Sequence, residues 1–131
     1  MSLQPLAPNL SVLRPLALWC LDTFGDDAPM LIGIGFDDEQ VYFHPVELSI
    51  HDPLGDLAGL AAPSDWDVLV VVAEVRTLDG PWLGGTIAHA VDRRGGCATE
   101  LDDSCGHRRS LRALRGSLHA TCSALFDEHG Q

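Results

Sequence analysis

The run from Asp67 to Val75 is a β-branched, apolar stretch with an acidic residue near each end, and it reads as a central strand buried on both faces. Other elements arrange themselves around it. Leu13, Leu16, Leu18, Trp19, Leu21 and Phe24 give a broad apolar helical face over 11–24, with Pro15 near its first turn or kinking it. Gly25 to Pro29 supplies turn residues, and Met30 to Phe36 alternates as a strand with Ile32, Ile34 and Phe36 on one face. Gly33 and Gly35 on the opposite face leave room for a helix backbone to approach. The polar stretch 37–40 then connects to a second strand, 41–44, which Pro45 ends or confines to a sheet edge.

Asp52 is a good N-cap and Pro53 suits a first helical position, so a short helix lies within 49–63. After the central strand comes a long Gly- and Pro-containing connection, 77–85. Ile87, His89 and Val91 share a face of a fourth strand, Arg93 to Gly96 forms a hairpin turn, and Cys97 to Leu101 returns as a fifth strand. The spacing of Leu111, Leu114, Leu118, Cys122 and Leu125 predicts a closing helix over 110–126. The expectation is an α+β fold: a five-stranded antiparallel sheet with flanking helices, in the order α-β-β-α-β-β-β-α. Residues 1–10 are Pro-rich and irregular, and 11–131 form a single domain.

Over residues 11–126 this order resembles that of roadblock and longin-type domains, in the profilin-like group that also contains PAS and GAF sensors. Three phrases, 43–48 (Phe43-His44-Pro45-Val46-Glu47-Leu48), 62–67 (Ala62-Pro63-Ser64-Asp65-Trp66-Asp67) and 90–95 (Ala90-Val91-Asp92-Arg93-Arg94-Gly95), are similar to phrases in a small uncharacterised actinobacterial protein family. Neither likeness implies an activity.

Composition narrows the class. The chain has 131 residues, 46% of them hydrophobic and 21% charged, enough for one core without staples or metals. No apolar run approaches the ~20 residues of a bilayer span. The opening Met1-Ser2-Leu3-Gln4-Pro5 lacks the basic region of a secretory signal, so a cytoplasmic protein without a membrane anchor is expected. The chain has no lysine and one asparagine, a bias of GC-rich bacterial genomes. The net charge is −11. Residues 1–92 hold two arginines against fourteen acids, a net −12, whereas 93–131 hold six arginines against five acids, a net +1. Such an acidic body repels phosphate backbones, and nucleic acid is not an expected partner.

Candidate chemistry is sparse. If 107–115 is helical, Arg108, Arg112 and Arg115 fall on one face and could anchor an acidic partner or an anionic ligand. Trp82, in the long connection, is a candidate interface anchor. Tyr42, His44 and His89 are candidate ligand-binding residues: His44 and His51 could line the rim of the sheet, whereas His89, on a face with Ile87 and Val91, fits a satisfied core or interface histidine better than a ligand. Cys105 and His107 could pair as nucleophile and base at a helix N-terminus. A metal site from Cys97, Cys105, His107 and Asp102 or Asp103 matches no usual spacing, so no metal and no cofactor is expected. Gly33-Ile34-Gly35 lacks the third glycine of a dinucleotide fingerprint. With no catalytic residues assigned, the leading expectation is a non-catalytic protein-interaction or regulatory module that self-associates as a homodimer, with a further protein partner. The alternative is a PAS- or GAF-like small-molecule sensor using Tyr42, His44 and His89. A thiol-dependent enzyme using Cys105 and His107 is the weaker third.

Overall fold

A computed structural model describes residues 10–38, 40–75, 85–103, 107–111 and 117–127. The apolar run becomes β3 (Val68–Val75), third in a sheet ordered β2-β1-β3-β4-β5-β6. Its companions are β1 (Met30–Phe36), β2 (Val41–Glu47), β4 (Gly85–Asp92), β5 (Cys97–Asp103) and β6 (Arg108–Leu111). Every pairing is antiparallel. The five expected strands are all present, and the short β6 extends the sheet by one. The helices are α1 (Leu10–Phe24), α2 (Pro53–Ala58) and α3 (Ser117–Asp127), and a single 3-10 turn at Gly25–Asp27 follows α1. An antiparallel sheet packed by helices makes the fold α+β.

Both faces of the sheet are covered. On one face Leu13, Ala17, Cys20 and Leu21 of α1 pack on Ile32, Ile34, Val68, Val70, Val72, Ala88 and Ala90. On the other, Leu57 of α2 and Cys122, Leu125 and Phe126 of α3 pack with Leu31, Leu69, Val71, Val91 and Trp66. This two-sided burial is why β3 carries apolar residues at consecutive positions rather than alternating ones.

Local chemistry fixes the connections. The Asp52 carboxylate accepts from the Gly55 N–H at 3.0 Å and caps α2, with Pro53 at its first turn, as expected. In the β4–β5 hairpin Gly95 takes φ +89°, and the Asp92 carboxylate accepts from the Arg94 and Gly96 N–H groups at 2.8 Å each. The Arg93 guanidinium reaches back to the carbonyls of Trp66 (2.7 Å) and Pro63 (2.8 Å), locking the loop before β3.

Pro15 lies inside α1 just past its first turn, on the exposed side. Two expectations change. Gly33 and Gly35 meet no helix: a Cβ on Gly33 would run into the Trp66 indole, and one on Gly35 into the Asp65 carbonyl. The predicted closing helix does not begin at Ser110. Arg108–Leu111 instead pairs with β5, where Ser110 lies opposite Glu100 and Arg108 opposite Asp102. A helical start there would leave the buried Glu100 without the Ser110 hydroxyl that donates to it at 2.8 Å.

Candidate partner interface at the outer strand

β2 is the outermost strand on its side of the sheet, and its side chains are exposed or half-buried along its whole length. The cause is geometric. α1 lies over β3, β4 and β5, and α3 over β4, so neither helix covers β2. Pro45 sits within β2 opposite Ile32 and has no N–H to offer that partner. Its nitrogen therefore faces outward, and in this uninterrupted antiparallel register the N–H and C=O groups of Val41, Phe43 and Glu47 face outward with it. The expectation that Pro45 marks an edge holds, although the strand runs on to Glu47.

Large apolar side chains gather along this edge. Trp19 of α1 is 42% exposed, Val41 41% and Tyr42 43%. The Trp19 ring lies 4.4 Å from that of Phe43 and meets Phe24 edge-on at 5.8 Å. On the other face of β2, His44 stacks over Trp66 with ring centroids 6.2 Å apart and planes at 19°. The indole fills the trough left by Gly33, so the rings rest on a fixed platform. The Tyr42 hydroxyl donates to Asp37 at 3.3 Å, and partial desolvation followed by this carboxylate raises the phenol above its ordinary pKa.

The chain segment that contains β2 carries charge of one sign. Between residues 15 and 75 the sequence has twelve acids and no lysine or arginine. Asp37 and Asp38 follow β1 in the β1–β2 hairpin and Glu47 ends β2, all three exposed. The apolar stretch of β2 is thus bracketed by carboxylates.

The expected ligand trio is not brought together. Tyr42 and His44 lie on β2, whereas His89 lies on β4, three strand spacings of about 4.8 Å and hence about 14 Å away. His89 is fully buried, its Nδ1 2.7 Å from the Thr99 hydroxyl, in the role of a satisfied core histidine. Nor do the arginines share a helical face. Arg108 is on β6, held by Asp102 (3.0 and 3.1 Å) and Asp22 (2.7 Å), and these carboxylates stabilise its charged form. Trp82, Arg112, Arg115 and Cys105 lie outside the described residues.

Nucleophilic and metal chemistry find little support among the described residues. Burial pushes the Cys20 and Cys122 thiols up to about 12, which keeps them protonated and unreactive at neutral pH. Among the described residues no three His, Cys, Asp or Glu side chains form a group that could hold a metal. Two clefts remain. One, of about 240 Å³, lies between α2 and α3 and is lined by Leu57, Leu60, Ala120, Ala124 and Leu125. The other, of about 180 Å³, is lined by Asp22, Asp26, Thr86, Asp102 and Arg108. No helix among the described residues is long and apolar enough to cross a membrane.

Reading the sequence alone misses the β2 flank. Trp19 falls within a helical apolar pattern that looks like core, and only its position beyond the sheet's covered centre exposes it. The absence of bases from 15 to 75 was available as a signal, but it acquires meaning only when β2 becomes an edge. Compared with known protein families, curated proteins and solved structures, the chain matches none.

Proposed function

We propose that this chain is a non-catalytic protein-interaction module that docks partners along the β2 flank and also associates, weakly, with a second copy of itself. One observation carries the reading: Trp19, Val41 and Tyr42, three of the large apolar side chains exposed among the described residues, converge on a strand whose outer backbone groups are unpaired within the sheet. Open strand edges with apolar flanks pair readily with other chains unless blocked.

Self-association through this flank brings carboxylates of two copies together, so it strengthens as salt screens them. Light scattering after size-exclusion chromatography, from micromolar to near-millimolar protein at low and high salt, tests this directly. The expected result is a mass that rises toward a dimer with concentration and with salt. A single monomeric mass throughout would remove self-association, and a dimer unaffected by substitutions at Val41 or Trp19 would move the interface elsewhere.

A further inference from the structure

We infer that the β2 edge takes an extended segment of a different polypeptide, one with an apolar centre and a lysine or arginine toward each end, added to the sheet as a seventh strand. This inference rests on the β2 flank being the docking surface and specifies what docks there.

Three observations converge on that chemistry. The first is backbone geometry. Val41, Phe43 and Glu47 present outward N–H and C=O groups in a regular register, the arrangement that lets an incoming strand form a ladder. Pro45 removes only one outward donor, so an added strand forfeits a single hydrogen bond opposite it. The second is side-chain character. Val41 and Phe43 stand on the α1 face beside Trp19, and Tyr42 and His44 stand on the face that carries Trp66. Apolar residues at the centre of an incoming strand would therefore find aromatic neighbours on both faces of the sheet.

The third is charge, and it selects among possible occupants. Asp37 and Asp38 lie beyond one end of β2, Glu47 lies at the other, and no lysine or arginine occurs from 15 to 75 to offset them. Seven residues of strand span about 20 Å, so the two acidic ends match basic residues set roughly that far apart on an extended segment. Natural edges are commonly guarded by a basic side chain, and this one has none. A second copy brings the same carboxylates and a net charge of −11, which favours a basic partner over the homotypic one.

The test displays short random peptides on phage, pans them against the full chain, and measures the selected peptides as synthetic compounds by calorimetry. Selection should return segments with alternating apolar centres and lysine or arginine at both ends. Their affinity should fall about tenfold or more between about 50 mM and 500 mM salt, the reverse of the trend for self-association. Val41→Pro removes an outward N–H without touching the β1 ladder and should abolish binding. Val41→Lys supplies the missing guard at a position already exposed and should weaken it about tenfold even if the proline variant folds poorly. Selected peptides without basic residues, or with salt-independent affinity, would overturn the inference while leaving β2 as the docking edge. If no peptide is selected and a dimer forms that Val41→Lys dissociates, the occupant is a second copy and the inference fails while the β2 reading stands. If no peptide is selected and the protein is a monomer at all salts, both fail together.

Discussion

The sheet has two open edges, and the chain treats them differently. β6 is four residues long, and Arg108 and Ser110 engage the rest of the molecule, Arg108 with Asp102 and Asp22, Ser110 with Glu100. Arg14 of α1 adds a contact at 3.7 Å to the same buried Glu100. β2 is seven residues long, half-solvated on both faces, and guarded by a single proline. Short length and committed charge are the usual protections of an edge, and they are concentrated on β6. An edge left long and without a lysine or arginine lacks those protections, which is the contrast on which the proposed docking surface rests.

The largest effect that breaks this comparison comes from the platform under β2. Trp66 is 7% exposed, fills the trough of Gly33 and stacks beneath His44. Trp66→Ala should cost about 3–5 kcal/mol by urea denaturation, in the range for truncating a buried aromatic. Gly33→Ala should cost about 1–3 kcal/mol by forcing a methyl against the indole. In the Trp66→Ala background the same methyl should be close to neutral, because the ring it meets is gone. Additive losses would mean that Gly33 is required for another reason and that Trp66 does not set the shape of the β2 edge.

At the opposite edge the corresponding lever is smaller. The Ser110 hydroxyl donates to Glu100, a carboxylate whose side chain is only 3% exposed. Ser110→Ala removes that bond while leaving the carboxylate buried, at a cost of about 1.5–3 kcal/mol. Amide exchange along β5 should accelerate in the variant, since this bond joins the Arg108 contacts and a short ladder in holding β6. Unchanged exchange would show that β6 is retained by something other than Glu100.

The asymmetry of the edges also explains what could be read ahead of the structure. Strands β1 to β5 were legible because each carries its own signal: consecutive β-branched residues in 68–72, alternation around Ile32 and Ile34, and turn residues at Arg93–Gly96. The N-cap at Asp52 was equally local. β6 was not legible, because Leu111 continues a helical spacing with Leu114 and Leu118, and what decides its state is a partner ten residues away, Glu100 opposite Ser110 across a hairpin. Cross-strand satisfaction of a buried carboxylate has no local signature. His89 was legible as a core residue from its place beside Ile87 and Val91, and the fourth place of β4 in the sheet order is what separates it from Tyr42 and His44. The β2 edge was legible only through Pro45, and the gathering of Trp19 beside it was not, since that depends on where α1 crosses the sheet.

Arg108 supplies the smallest and most discriminating effect. Its sequence context suggested a partner-binding cation, but in the fold its guanidinium makes a bidentate contact with Asp102 and a second contact with Asp22. Its side chain is 36% exposed and those of Asp102 and Asp22 are 39% and 61% exposed, so solvent screens much of the attraction. Arg108→Ala should therefore cost no more than about 1 kcal/mol at low salt and less at high salt, measured as a shift in the urea midpoint. Because β2 lies at the far edge of the sheet, the same variant should bind a basic strand as tightly as the parent does. A several-fold loss of that binding would link the two edges and place Arg108 back in partner recognition. Unchanged binding with a small, salt-sensitive loss of stability would confine Arg108 to closing the β6 edge.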